Sequence, residues 1–240
     1  MSPRARKVFA AGNAGYFGQM AEGALITMQL AFAGYILALI WGTLVGLATL
    51  ANNPVIDAFW RVYASIITGV PSLLVIFLFY YGGSAIIDGI LGLVGLAGKI
   101  EVTPFGAGLA ALIIVYGVYV AELVRGAVRN IPSGQFEASA ALGIHPIGAW
   151  WYVIRPQVIR LALPGLVAIW MIVLKDTALV SLAGLNDLVA HAKVAAGSTK
   201  EPFIFFFAAA LFYVAFSAVT PRLSTNLERR FGRGLALART

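Results

Sequence analysis

The sequence contains no cysteine and few charged residues. Among its 240 residues, 11% are charged and 60% are hydrophobic, whereas about a quarter of the residues in a soluble domain are charged. The missing cysteines exclude disulfides, thiol catalysis and cysteine-ligated metals, and two histidines, His145 and His191, are too few for a histidine-rich metal site. The chain cannot cover its surface with polar groups, so its composition predicts a protein that lies in the lipid bilayer.

Recognisable catalytic and nucleotide-binding groups are also missing. The sequence has no nucleophile–base pair, no paired carboxylates and no G-x-x-x-x-G-K-[ST] loop for phosphate. We therefore expect no catalytic residue and no cofactor in this chain, and any ATP would be bound and hydrolysed by a separate subunit. The net charge of +7 is expected from loops on the cytoplasmic side of the membrane rather than from nucleic-acid binding.

Long stretches without charge are what the sequence does have. A helix needs about 20 apolar residues to cross the hydrocarbon core, so these stretches predict an all-α membrane bundle of about five transmembrane helices. The predicted spans cover residues 24–50, 62–87, 102–121, 161–182 and 202–221. Around them we divide the chain into an extracytoplasmic or interfacial segment at residues 1–22, a transmembrane domain at residues 23–222 and a basic cytoplasmic tail at residues 223–240.

An odd number of spans places the two termini on opposite sides of the membrane. With the N-terminus outside, ten Lys and Arg residues fall on the inner side and seven on the outer side, in line with the enrichment of positive charge on the cytoplasmic side. The basic residues Arg4, Arg6 and Lys7 oppose this orientation. The balance predicts an N-terminus outside and a C-terminus inside.

Glycine and proline mark points of close packing and bending within the spans. Gly42 and Gly46 form a G-x-x-x-G pair, a spacing that lets helix backbones approach closely, and we interpret it as packing within the chain rather than as a dimer contact. Pro71 and Pro164 lie inside the predicted second and fourth spans. Each removes a backbone hydrogen bond, and the sequence leaves a static kink and a hinge along a substrate path equally open.

A polar loop at residues 125–160 interrupts the apolar pattern between the third and fourth spans. Ser133 is predicted to be a helix N-cap with Glu137 in the first turn, where the helix dipole stabilises a carboxylate. Residues 138–142 predict a short helix that Gly143 ends. A helix of alanines with little bulk on its surface suits a groove on another protein, so we interpret the loop as a contact that transmits force from a soluble partner.

The order of residues in this loop resembles that of a known family. Glu137-Ala138-Ser139, three residues, Gly143, nine residues and then 153–156 resemble the EAA loop of binding-protein-dependent ABC importer permeases, E-A-A-x3-G-x9-I-x-L-P. Ser139 stands for the second alanine and Arg155 for the leucine, and neither change touches the turn-forming positions.

Other stretches narrow the resemblance. Residues 121–127, 131–135 and 174–181 resemble the polar amino acid branch of this family, and residues 195–203 resemble its histidine/arginine/octopine-type members. The similarity as a whole extends over roughly residues 20–230. Each piece is a weak signal alone, and the combination is a strong one.

The resemblance implies a fold, a location and partners. It implies a type I ABC importer permease with five helices in the bacterial inner membrane, paired with a second, identical or homologous permease. An ATP-binding subunit would dock on the loop, and an extracytoplasmic solute-binding protein would deliver polar, cationic amino acids or opines. The residues implied to couple the chain to the ATPase are Glu137, Ala138, Ser139, Leu142, Gly143 and Pro156; the alternative for Glu137 is a solvated residue that stabilises the helix terminus.

An ionisable pair, Lys175 and Asp176, lies in the fourth predicted span, where each charge costs about 2.5–3.5 kcal/mol on insertion scales. Neighbours in sequence point to different faces of a helix, so the two need not pair. The candidates for a substrate path are Asp176, Thr177, Ser181 and Glu122. The alternatives are that Lys175 snorkels to the interface while Asp176 holds structure, and that Glu122 pairs with Arg125.

Two residues of the outer loop, Asp187 and His191, are expected at the surface, facing the binding protein.

Two other classes of function are also considered. An ion-coupled secondary carrier acting without an ATPase would need an internal repeat and buried coupling charges, and the sequence shows no convincing repeat. A scaffold or receptor that does not transport would leave the loop without a purpose.

Overall fold

The structure is a computed structural model that describes residues 16–51, 53–93 and 101–232, and every regular element in these ranges is helical. The helices are α1 (Tyr16–Ala48), α2 (Pro54–Gly69), α3 (Ser72–Leu93), α4 (Pro104–Arg129), α5 (Ser133–Ala141), α6 (Pro146–Ala149), α7 (Arg155–Val180), α8 (Leu188–Thr199) and α9 (Pro202–Gly232). A π-helical turn, Trp150–Ile154, joins α6 to α7, and a 3₁₀ turn, Ser181–Ala183, follows α7.

Five helical stretches in the described ranges are long and apolar enough to cross a membrane. They are α1, α3, α4, the continuous stretch Pro146–Ala183 that contains α7, and the first part of α9, Pro202–Thr220. The predicted all-α bundle of five membrane helices is therefore confirmed. The predicted fourth span began too late, at residue 161, because Arg155 and Arg160 interrupt the charge-free stretch, whereas the helical stretch begins at Pro146.

The predicted second span is wrong in one respect, since Pro71 separates two helices instead of lying within one. Val70 adopts an extended backbone with φ −109° and ψ 131°, the conformation that the ring of a following proline favours. The helix before it, α2, is capped by the Asn53 side chain, which accepts a hydrogen bond from Val55 N at 2.9 Å. Only the helix after Pro71, α3, has the length and hydropathy of a span.

The central helix is α4, the most buried of the five spans, and α1 packs closely along it. A Cβ atom added to Gly42 would lie 2.5 Å from the carbonyl oxygen of Gly117, and one added to Gly46 would lie 2.7 Å from that of Ala121. Only glycine allows this approach. The G-x-x-x-G pair therefore packs within the chain, as the sequence analysis interpreted it.

The described helices also change the predicted boundaries near the termini. α1 begins at Tyr16, so residues 16–22 of the proposed N-terminal segment are helical, and residues 1–15 lie outside the described ranges. The last helix, α9, runs to Gly232, and the remainder of the predicted tail, 233–240, also lies outside them. The interfacial location of the first segment stays a prediction.

Candidate functional site

The loop between α4 and α7 presents a short helix, α5, that is exposed on nearly all sides. Of its nine residues, Ser139 is the buried one, at 3% exposure, while Glu137 and Ala138 are exposed. Leu142, directly after α5, is 79% exposed, although a leucine is usually buried. An apolar side chain this accessible, on a helix with one carboxylate, forms a contact surface that the chain itself leaves open.

Gly143 ends α5 with a defined geometry. Its φ is +71°, in the left-handed region that glycine adopts without cost. Ile144 N donates to Ser139 O at 3.0 Å and Gly143 N donates to Ala140 O at 2.9 Å, which are the paired hydrogen bonds of a Schellman motif. The predicted stop at Gly143 is therefore confirmed, and its cause is the backbone angle, since a Cβ there would meet open space.

The start of α5 differs from the prediction. Ser133 is the first helical residue, Pro132 occupies the cap position, and no side chain caps the helix. Glu137 is consequently the fifth residue of α5 and lies beyond the first turn. Pro132 has a non-helical ψ of 137° and no side-chain acceptor, so the helix begins without the hydroxyl cap that the serine was expected to supply.

Polar and apolar contacts hold α5 against the start of α7. The Gln157 side chain donates to Gln135 Oε1 at 3.2 Å, and the Ser139 hydroxyl donates to Gln135 O at 2.7 Å. Because the hydroxyl is satisfied inside its own helix, a serine fits the buried position where the resembling family has alanine. Beneath the loop, Ile131 packs in a buried cluster with Ile154 of the π-helical turn and Val158 of α7. α5 is therefore joined to α7 by one side-chain hydrogen bond, and the segment directly before α5 is joined to it by a buried apolar cluster.

The π-helical turn is joined to the start of α7 by two contacts of Arg155. Arg155 N donates to Trp150 O, and the Arg155 guanidinium lies 4.5 Å from the centroid of the Trp151 ring. A cation over an aromatic face is attracted by the ring quadrupole. Arg155, at the position where the family pattern has leucine, thus has a partner in the loop, and Pro156 follows it in the first turn of α7.

Asp176 is held by a residue that the sequence analysis did not single out. Tyr116 of α4 donates a hydrogen bond of 2.5 Å to Asp176 Oδ2, and Tyr116 itself is 3% exposed. Lys175 is exposed on another face of α7, beside Tyr213 and Ser217 of α9. The two neighbouring charges therefore do not pair, as expected. No local sequence signal joins Tyr116 to a carboxylate 60 residues away.

The other candidates for a substrate path are placed in different surroundings. Thr177 is fully buried and its hydroxyl donates to Leu174 O at 2.7 Å. Ser181 lines an open cavity of about 600 Å³ together with Asn186 and Lys193. Glu122 lies 3.7 Å from Arg125, which confirms the predicted pair. Asp176, Thr177 and Ser181 thus lie at the C-terminal end of α7, whereas Glu122 lies near the C-terminal end of α4, on the side of α5.

Asp187 contradicts the expectation that it lies on the surface. It is fully buried, and its Oδ1 accepts a hydrogen bond from Ala190 N at 3.0 Å, so it caps α8. Gly23 of α1 makes room for this segment, because a Cβ there would lie 2.7 Å from Asp187 O. Burial raises the pKa of the Asp187 carboxyl above its ordinary value, partly offset by the hydrogen bond from Ala190. His191, one turn later, is half-buried.

Five membrane-length helices, with a short exposed helix between the third and fourth of them, define a multi-pass membrane protein. Residues 34–233 match the family described as "Binding-protein-dependent transport system inner membrane component". The match covers most of the chain, and the chain belongs to this family. The resemblance stated from the EAA-like loop is thereby confirmed, and the secondary-carrier alternative is not favoured.

Curated relatives and a solved structure agree with the family. The chain is 35% identical to the octopine transport system permease protein OccQ of Rhizobium radiobacter, over 93% of this chain and 94% of the relative. It is also 35% identical to the histidine/lysine/arginine/ornithine transport system permease protein HisQ of Escherichia coli, over 93% and 98%. A crystal structure of an amino acid ABC transporter with histidines superimposes with a TM-score of 0.76 at 29% identity, covering 90% of this chain and 95% of that one.

Proposed function

We propose that this chain is the permease subunit of an ATP-driven importer for polar, cationic amino acids or opines. The support is its membership of the transport family together with relatives named for octopine, nopaline and histidine, lysine, arginine and ornithine. The chain would cycle between inward-open and outward-open states. It would act in the bacterial inner membrane beside a second permease, with an extracytoplasmic binding protein that delivers the substrate.

The observation that carries the proposal is the exposed helix α5 on a fixed base. Its accessible surface includes Glu137, Ala138 and Leu142, and its position is fixed by Gln157 and the cluster around Ile131 and Ile154. A docked ATPase that moves α5 would move α7 with it. ATP would be bound and hydrolysed by that partner, and this chain would supply no catalytic group.

The substrate path is proposed to pass Asp176. Its carboxylate lies in α7, the helix on which α5 acts, and Tyr116 orients it from α4. A carboxylate in a membrane span attracts a cation strongly because the surroundings screen it little. Thr177 and Ser181 lie on the same helical stretch toward the outer loop.

The proposal is tested by uptake and ATP hydrolysis in the complex purified with its partners and reconstituted in vesicles. Glu137→Arg reverses the one charge of α5, and a like charge in an interface costs several kcal/mol, so uptake is expected to fall at least about tenfold. Hydrolysis is expected to continue without uptake, or to lose its dependence on the binding protein. Glu22→Arg, a charge reversal at an exposed residue of α1, is the matched control and is expected to transport normally. Equal uptake by both variants would refute the coupling role.

A further inference from the structure

A groove of about 490 Å³ lies between α1, α7 and α9, away from α5 and from Asp176. Its walls come from α1 between Met28 and Leu39, from α7 between Leu163 and Trp170, and from α9 between Phe216 and Thr220. All three stretches belong to membrane-spanning helices. The groove is therefore a feature of the part of the molecule that faces hydrocarbon.

The lining of this groove suits an apolar chain. The polar groups along it are satisfied by one another, since Tyr35 OH donates to Leu166 O at 3.1 Å and Trp170 Nε1 donates to Thr220 Oγ1 at 3.0 Å. The Phe32 and Trp170 rings meet edge to face at 5.1 Å, which fixes the wall between them. A ligand that needs hydrogen bonds would find few free partners here, whereas a hydrocarbon chain would bury its surface.

The groove is open to the bilayer, and its longest wall, on α1, is about as long as one leaflet is deep. Phe32 is 56% exposed and Val219 is 51% exposed, so the opening faces outward from the bundle. The α1 wall from Met28 to Leu39 rises eleven residues, about 17 Å at about 1.5 Å per residue. This is about half of the ~30 Å hydrocarbon core, the depth that one acyl chain of one leaflet occupies.

A cation without a partner lies below the groove on α7. Arg160 precedes Leu163 by three residues and Val167 by seven, so all three lie on one side of the helix. Within the described ranges Arg160 forms no ion pair, and its Nε is buried without a hydrogen-bond acceptor. Two other arginines do have charged or aromatic partners, Arg125 with Glu122 and Arg155 with Trp151, although the Nε atom of Arg125 also lacks an acceptor. A phosphate would satisfy the guanidinium of Arg160, because its oxygens accept parallel hydrogen bonds from that group.

We propose that this groove binds one acyl chain of an anionic phospholipid whose phosphate lies against Arg160. The apolar wall selects the chain and the arginine selects the charged headgroup. The lipid comes from the leaflet on the side of α5. The proposed function makes this the inner leaflet, so this assignment rests on that function. The bound lipid would brace α7 against α1 and α9 without contacting α5.

The test is native mass spectrometry of the purified complex, with phosphatidylglycerol and phosphatidylcholine of identical chains added as probes. One arginine near an anionic headgroup predicts that phosphatidylglycerol binds about fivefold more tightly. Arg160→Gln is expected to remove this preference, and Arg129→Gln, an exposed arginine at the inner end of α4, is expected to keep it. No preference in the native chain, or the same loss in both variants, overturns the proposal.

A second pair of variants tests the acyl-chain half of the site. Val167→Trp fills the groove and is expected to weaken both lipids at least about fivefold, since several buried CH₂ groups are displaced. Leu161→Trp, at an exposed residue outside the lining, is expected to leave both unchanged. Glycerophosphoglycerol, the headgroup without chains, is added as a competitor; if it displaces the lipid, the site recognises a free phosphate and the acyl-chain assignment fails.

Brominated acyl chains show whether lipid or another polypeptide covers the groove. Bromine quenches tryptophan fluorescence on contact, and Trp170 lies in the lining. The quenched fraction is expected to fall in Trp170→Phe relative to the native chain. If Trp170→Phe leaves quenching unchanged, a second copy or a partner subunit occupies the groove and the proposal is wrong. None of these measurements uses ATP or uptake, so they fail or succeed independently of the coupling role.

Discussion

At the scale of single residues, hydrogen bonds between helices pair several of the polar side chains inside this apolar bundle. Tyr116 donates to Asp176, Trp170 to Thr220, and Tyr63 to the carbonyl oxygen of Ile114. An unsatisfied polar group in hydrocarbon costs several kcal/mol, so each pair also fixes how two helices rotate against one another. Asp176 differs from the others because its side chain is ionisable and only partly buried, which makes it a candidate contact for a cationic substrate.

The charge of Asp176 is predicted to favour cationic substrates. In Asp176→Asn, uptake of arginine is expected to fall about tenfold or more, because two unit charges about 4 Å apart attract by about 4 kcal/mol when partly screened. Uptake of citrulline, the neutral isostere of arginine, is expected to change much less. Both are measured with radiolabelled substrate in vesicles that contain the whole complex.

Tyr116→Phe separates charge from position in that experiment. It removes the hydrogen bond to Asp176 and keeps the carboxylate. Its arginine uptake is expected to remain above that of Asp176→Asn, and its preference for arginine over citrulline is expected to persist. If Asp176→Asn reduces the two substrates equally, Asp176 has a structural role only.

Asp187 is predicted to make stability depend on pH. Burial raises the pKa of its carboxyl, so between the ordinary aspartate pKa and the raised value the folded chain keeps a proton that the unfolded chain has lost. Stability contributed by this group is therefore present at low pH and is lost as pH rises through that window. The Tm of the native chain in detergent, compared with that of Asp187→Asn from about pH 4 to about pH 8, measures the effect.

Asn is the matched replacement for Asp187 because it caps a helix equally well and does not titrate. The difference in Tm between native chain and variant is expected to shift in favour of the variant as pH rises. A difference that stays constant over the whole range would mean that Asp187 does not hold a proton in the folded chain.

At the scale of helices, apolar length was predictable, whereas several helix boundaries were not. Charge-free stretches identified all five spans because bilayer thickness fixes how many apolar residues are needed. Pro71 was expected within a helix, yet it lies between two helices. This could not be predicted because the sequence does not show whether neighbouring helices compensate for the hydrogen bond that a proline removes. Asp187 was expected at the surface, but it is buried against Gly23. The two residues are far apart in the chain, so no local pattern could predict this contact.

The α1–α4 contact provides a prediction about helix packing. Gly42→Ala places a methyl group 2.5 Å from the carbonyl oxygen of Gly117, and overpacking of this kind costs about 1–3 kcal/mol. We expect a lower Tm in detergent and a lower yield of folded protein. Gly89→Ala in α3, where a Cβ would meet nothing within 4 Å, is the control and is expected to leave the Tm unchanged or higher, since alanine favours helix. Equal losses would mean that α1 does not pack closely on α4.

The end of α5 provides a second prediction at this scale. Gly143→Val is expected to lower coupled uptake because a β-branched residue in the left-handed region costs about 1–2 kcal/mol and disturbs the Schellman turn. Gly143→Asn is expected to transport better than the valine variant, since asparagine tolerates positive φ. Both are scored by uptake per ATP hydrolysed. If the valine variant transports as well as the asparagine variant, the turn geometry is not needed for coupling.

At the scale of the whole molecule, α7 crosses the bilayer and so places the elements before and after it on opposite faces. It contains 26 residues, about 39 Å at about 1.5 Å per residue, which exceeds the ~30 Å hydrocarbon core. The exposed helix α5 precedes it and α8 follows it, so these two elements lie on opposite faces of the bilayer. The EAA-like loop was recognisable from sequence because its spacing is local, whereas its face of the membrane depended on a charge count of ten against seven.

The native chain has no cysteine, so single cysteines report that face directly. Ser133→Cys at the start of α5 and Ser198→Cys in α8 are both at exposed residues. With a membrane-impermeant maleimide, Ser198→Cys is expected to react in intact cells and Ser133→Cys only in inverted vesicles, while the native chain gives no background. The opposite pattern would place α5 outside the cell, where no ATPase has ATP to hydrolyse, and would refute the coupling role. It would not decide whether the groove binds an acyl chain or whether Arg160 binds a phosphate, since the lipid-binding measurements test both separately.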